Sequence, residues 1–161
     1  LMSLRVTSGV IAVDRSSGDV VWRIGHDTVA QQHAPVELEN GNILIFDNGN
    51  LRPGVHVPYS RVIEVDPISE TIMWEYSDLM RPAFFAPYMG SAERLSNGNT
   101  FITESPFGRL FEVTPDGETV WEYAIPYFAE NPDERARQYA SGSQNSAFRT
   151  YRYQKSQIPW L

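Results

Sequence analysis

Three stretches of this chain repeat one design: "GVIAVDRSSGDVVWRIG" (9–25), "SRVIEVDPISETIMWEYS" (60–77) and "GRLFEVTPDGETVWEYAI" (108–125). Each is an alternating apolar run, a turn built on Asp, Ser, Pro or Gly, and a second run that includes a Trp, which is the pattern of a β-hairpin. Trp22, Trp74 and Trp121 occupy one equivalent place, 52 and then 47 residues apart. A second kind of hairpin precedes the last two, "VELENGNILIFDNG" (36–49) and "AERLSNGNTFITES" (92–105), each with Asn-Gly-Asn at its turn. Asn-Gly is the strongest short hairpin signal, because a type I′ turn needs positive φ at both central residues.

Hairpin joined to hairpin makes a four-stranded antiparallel unit. It recurs here at the period of roughly 40 to 50 residues found in propeller blades. The expected fold class is therefore all-β: a partial β-propeller of four-stranded antiparallel blades with one short C-terminal helix. An ordinary antiparallel sandwich is the rival; the joint repetition of strand class, turn chemistry and Trp position favours the propeller. The boundaries read as a half blade at 1–28, blades at 29–78 and 88–126, and a helix with a closing strand at 127–161. Closed propellers need about 4 to 8 blades, so the remaining blades are expected from a longer chain or from other chains. In "NPDERARQYASG" (131–142), Asn131 serves as N-cap, Pro132 as the first helical residue and Gly142 as the stop. "AFRTYRY" (147–153) alternates as a last strand would.

The formal charge of -7 argues against a nucleic-acid binder, since a phosphate backbone is gripped by clustered Lys and Arg. No run of residues approaches the roughly 18 apolar positions of a membrane span. With no cysteine there is no disulfide, thiolate nucleophile or Cys-based zinc site. His26, His33 and His56 do not follow a recognisable metal-ligand spacing. The phosphate-loop, dinucleotide-turn and nucleophile-elbow motifs are absent, so neither a metal nor a cofactor is expected.

In order, "QQHAPVELENGNILIFDNG", "YSRVIEVDP", "MWEY", "GSAERLSNGNTFITE", "GRLFEVTPDGETVWEY" and "FRTYRY" resemble the arylsulfotransferase family over roughly residues 9–153. The resemblance implies a periplasmic or extracellular six-bladed propeller, with this chain as its C-terminal part. It also implies an enzyme that moves a sulfuryl group from an aryl sulfate to a phenol through a sulfated histidine, without a nucleotide donor. His33 stands where the family's Gln-His motif places an active-site histidine. Arg52, shortly after "FDNG", stands within about one position of its sulfate-binding arginine. The chain departs from the family where the covalent histidine follows a Gly-Ser pair in the next blade: after Gly90 and Ser91 it reads Ala92 and Glu93.

His33 and Arg52 are accordingly the candidate catalytic pair. A neutral imidazole can act as nucleophile or acid/base near pH 7, and a guanidinium fork can grip sulfate through two donors. Glu93, at the nucleophile-equivalent place, and His56, near the channel mouth, are candidates for substrate binding. The bland reading of His33 is a hydrogen-bonded structural residue of an inner strand, and of His26 a solvent-exposed one. Arg61 and Arg109 recur at matching places and are read as a blade feature, pairing with Glu64 or Glu112; Glu75 and Glu122, beside the tryptophans, are read the same way. The function competing with sulfuryl transfer is a non-catalytic propeller acting as a binding or structural subunit.

Overall fold

The computed structural model describes residues 1–130, 134–137 and 142–160. It is all-β, with three main antiparallel sheets. The first holds β1 (Met2–Leu4), β2 (Gly9–Val13) and β3 (Val20–Ile24), in that order. The second holds β4 (His33–Glu37), β5 (Ile43–Asp47), β6 (Arg61–Val65) and β7 (Ile72–Tyr76), and the third β8 (Ser91–Arg94), β9 (Thr100–Glu104), β10 (Arg109–Val113) and β11 (Thr119–Ala124). The three Trp hairpins share one register: Trp22 pairs with Ala12, Trp74 with Glu64 and Trp121 with Glu112, each followed by an irregularity one residue on.

The sheets stack face to face, and the middle one is buried on both sides. Period-2 alternation sends Ile43, Ile45, Ile63 and Val65 toward Val10, Ile24 and Val29, and sends Leu44, Phe46 and Val62 toward Phe84, Ala86, Ile102 and Phe111. Burial on both faces explains why "ILIFD" is a continuous apolar run closed by one carboxylate. The indoles stitch the stack. Trp22 Nε1 donates to Pro67 O at 2.8 Å, and Trp74 Nε1 to Pro115 O at 2.7 Å, each reaching the turn of the following sheet. Among the described residues the stack does not close into a ring.

Several sequence expectations change in detail. The Asn-Gly-Asn turns are not type I′: only Gly41 and Gly98 have positive φ, and Leu38 N bonds to Asn42 O, and Leu95 N to Asn99 O, across three-residue loops. Freed of that duty, Asn40 and Asn42 donate to Glu64, as Asn97 and Asn99 do to Glu112. Arg61 and Arg109 therefore do not pair with Glu64 and Glu112. Arg61 binds Asp47 and Glu75, and Arg109 binds Glu104 and Glu122. The recurrence is architectural, as expected, with different partners.

The first sheet has a strand, β1, that the hairpin count missed. Its place is equivalent to that of β9: the 3-10 turn Arg5–Thr7 ending on left-handed Ser8 repeats the backbone of the turn Ser105–Phe107 ending on left-handed Gly108. Of the helix expected within 131–142, the described residues show α1 (Glu134–Arg137); Asn131 and Pro132 lie outside the described residues. Residues 147–153 form no strand. They run along the third sheet, while β12 (Ala129–Glu130) pairs with β13 (Ser143–Gln144). Among the described residues no helix is long and apolar enough to cross a membrane.

Candidate functional site

His33 opens β4 between two left-handed residues, Gln31 at φ 53° and Ala34 at φ 49°. It pairs with Phe46 and Val36 pairs with Leu44, so Ala34 and Pro35 together oppose one residue of β5. That is a β-bulge, a device that re-aims a side chain, and it tolerates Pro, which has no ladder donor. Buried Gln32 anchors the bulge to the first sheet, its Nε2 donating to Gly9 O at 2.6 Å and its main-chain O accepting from Ser3 Oγ at 2.9 Å.

The imidazole Nδ1 lies 2.7 Å from Asn48 Oδ1. Asn48 is fully buried, and its Nδ2 donates to Ala86 O and to Met89 O, both at 2.7 Å. With both amide hydrogens committed, Oδ1 can only accept, so Nδ1 carries the ring proton and Nε2 presents a lone pair. No protein group bonds to Nε2 among the described residues. Burial holds the His33 pKa below the ordinary 6.5; hydrogen bonds to Asn48 and to the Gln31 main chain oppose this, and the nearby Arg5 charge adds to it. The ring is neutral at pH 7.

Arg5 is the residue that sequence reading missed. Its Nη2 donates to Pro87 O at 3.3 Å, its Nε is buried without a partner, and it makes no ion pair among the described residues. Asn50 Nδ2 meets the same carbonyl at 2.5 Å. A guanidinium without an ion-pair partner among the described residues therefore stands close enough to His33 for its charge to disfavour the protonated imidazole. The turn "RVT" gave no motif to find it by: the matching turn of the third sheet reads "SPF", with no residue in common.

Arg52 is placed otherwise. Its Nη2 donates to the buried Asp47 Oδ2 at 3.0 Å and its guanidinium stacks 4.4 Å from the Tyr59 ring. Arg61 Nε donates to that same oxygen at 2.8 Å, while Ala30 N donates to Oδ1 at 2.7 Å. Arg52, Arg61, Asp47 and Glu75 thus form a charge-neutral network. Asp47 and Asn48 are chain neighbours whose partners lie on opposite sides, toward the first and the third sheet, and no contact joins Arg52 to His33. Gly49 lets the loop turn here: at φ +80° a Cβ would come 2.0 Å from Tyr59 O.

Glu93 accepts from the main-chain N of Arg152 at 3.2 Å, on the face of β8 opposite Ala92, which packs between the second and third sheets. His56 is exposed on the loop between β5 and β6. A cleft of about 560 Å³ lies elsewhere, between Asp78, Phe85, Glu104, Phe107, Arg109 and Glu122. Burial raises the Glu104 pKa there, against the opposing hydrogen bond from Arg109. Three carboxylates against one guanidinium make that cleft unsuited to an anion.

Comparison with known proteins gives a family match and likenesses of fold, one of which is described here. A family described as arylsulfotransferase (ASST) matches residues 1–125. A crystal structure at 1.35 Å resolution of a protein of unknown function from Bacteroides caccae superposes with a TM-score of 0.52 at 16% identity, over 78% of this chain. This chain spans 44% of that protein's length. No curated protein matches the chain.

Proposed function

This chain belongs to the arylsulfotransferase family, as the match over residues 1–125 shows, and from that premise we propose that it transfers sulfuryl groups between phenols at His33. The observation carrying this reading is the hydrogen-bond chain from the Ala86 and Met89 carbonyls through Asn48 to His33 Nδ1, which leaves an unprotonated Nε2 without a protein partner. Nε2 attacks the sulfur of an aryl sulfate, the N–S bond forms and the S–O bond to the aryl group breaks, releasing the phenolate. An acceptor phenol then attacks the same sulfur, loses its proton to solvent and regenerates the neutral imidazole. Arg5 neutralises the sulfuryl oxygens, because its charge has no carboxylate to answer it. Arg52, already neutralised by Asp47, holds the β5–β6 loop; neither Glu93 nor His56 carries a step.

The stacked sheets are read as consecutive blades of a propeller, with His33 and Arg5 at the channel end of the stack, in a periplasmic or extracellular protein. No cofactor enters the reaction. The absent family histidine, with Ala92 packed in the core in its vicinity, favours the second reading, a non-catalytic binding propeller. Mass spectrometry after incubation with 4-nitrophenyl sulfate, quenched in alkali to preserve an N–S bond, separates the two. Addition of one SO₃ to the peptide containing His33 is expected; an unmodified His33 with no release of nitrophenol leaves the binding reading standing.

A further inference from the structure

The repeat places one chemical arrangement at the same corner of the second and third sheets. Asp47 pairs with Arg61 across β5 and β6, and Glu104 with Arg109 across β9 and β10. Glu75 and Glu122 stand opposite Ile63 and Phe111, the residues two places after those arginines. Tyr59 and Phe107 come two places before them. The bonding repeats as well. Each arginine bridges its two carboxylates, and a main-chain N–H completes the buried one, from Ala30 to Asp47 and from Phe85 to Glu104.

The two corners differ in one side chain. Residues 48–60 loop out between β5 and β6 and return Arg52, whose Nη2 donates to Asp47 Oδ2 at 3.0 Å while its guanidinium stacks 4.4 Å from the Tyr59 ring. Residues 105–108 between β9 and β10 are a single tight turn, too short to carry such an arm. Among the described residues Glu104 Oε2 therefore takes one guanidinium donor, from Arg109 at 3.2 Å, where Asp47 Oδ2 takes two. In place of the arm is the cleft of about 560 Å³, walled by Phe85 and Phe107, with Asp78, Glu104 and Glu122 around it and Arg109 as the one cation among its described lining residues. Its volume is in the range of small-ligand sites. Burial raises the Glu104 pKa even beside Arg109, as expected of a carboxylate short of one counter-charge.

We infer that this cleft binds a guanidinium group carried on an alkyl stem, lying between Glu104 and Phe107 as Arg52 lies between Asp47 and Tyr59. A guanidinium donates to a carboxylate in its own plane and offers its flat face to an aromatic ring, so one group satisfies both walls. An ammonium brings the charge without the fork or the face. The same group comes from a free small molecule or from an arginyl side chain of a polypeptide. Neither His33 nor Arg5 takes part, so failure here leaves the reading of sulfuryl transfer untouched.

Titration of the 15N-labelled chain with N-acetylarginine amide, followed by amide NMR shifts, tests the site. Saturable shifts are expected at Phe85, Phe107 and Arg109, with none at His33. N-acetylcitrulline amide, which keeps the shape without the charge, should bind at least about tenfold more weakly, and so should N-acetylarginine amide to Glu104→Gln. Phe107→Ala removes a side chain 57% exposed, so its fold is kept while binding weakens by about threefold or more. Arg52→Ala opens the equivalent corner of the second sheet, where ethylguanidinium should then shift Asp47 and Tyr59 as well. At the cleft itself, tighter binding of ethylguanidinium than of N-acetylarginine amide assigns a free small molecule, and the reverse order an arginyl side chain; either upholds the guanidinium. No saturation up to about 10 mM, equal binding of the citrulline compound, or an affinity unchanged in Phe107→Ala overturns the assignment.

Discussion

Phe84 joins the second and third sheets, and its removal measures how firmly the stack is held. It is fully buried, edge-on to Phe46 at 5.6 Å and 86° and to Phe111 at 5.5 Å and 89°, and tilted against Tyr76 at 5.7 Å. Phe→Ala in a core costs about 3–5 kcal/mol through lost transfer energy and the cavity left behind. Aromatic pairs add about 0.5–1.5 kcal/mol each, and three such pairs place Phe84→Ala at the upper end, about 4–5 kcal/mol. For a chain of this size each kcal/mol lowers Tm by about 2–4 °C, so a fall of roughly 8–20 °C is expected. Urea unfolding monitored by tryptophan fluorescence supplies the free energy, with Phe107→Ala, 57% exposed, as a control within about 0.5 kcal/mol of wild type. A loss below about 2 kcal/mol for Phe84→Ala, at unchanged m, would refute a stack held by this plug.

Arg61→Met should destabilise by about 3–5 kcal/mol in the same urea assay, because it strips a donor from a fully buried carboxylate, Asp47, and leaves Glu75 unpaired. Gly90→Ala should also destabilise, by more than about 2 kcal/mol: its φ is +108° and a Cβ would come 2.5 Å from the Phe46 ring, so either backbone or ring must move. The folded pKa of His33 lies below its unfolded value of 6.5, so between the two the unfolded chain binds the extra proton. Stability must therefore fall as pH drops through that window. Unfolding midpoints across roughly pH 5 to 7 should show this slope, and His33→Gln should flatten it.

The repeat was legible because three physical requirements recur together: alternation for half-buried strands, Gly for left-handed turns and Trp for a bond to the next sheet. β1 escaped notice because "MSL" is too short to show alternation, and its turn ends on Ser8 rather than Gly. The turn type was misjudged because Asn-Gly fits two loop lengths, and the side chains of Asn40 and Asn42 have a second use in holding Glu64. At the site, His33 could be read from its motif, whereas Arg5 could not, since its value lies in having no carboxylate partner. Arg52 looked equivalent in sequence, but Asp47 and Arg61, 14 residues apart, decide its charge balance.

The central claim is that His33 Nε2 takes the sulfuryl group while Arg5 holds its oxygens. The most direct measurement is the initial rate of 4-nitrophenol release from 4-nitrophenyl sulfate with phenol as acceptor, for wild type, His33→Ala, Arg5→Met and Arg52→Met. The account predicts turnover in the wild type, none in His33→Ala, a loss of about 10²-fold or more in kcat/KM for Arg5→Met, and a smaller loss for Arg52→Met that follows its stability. Wild-type turnover surviving in His33→Ala would contradict it.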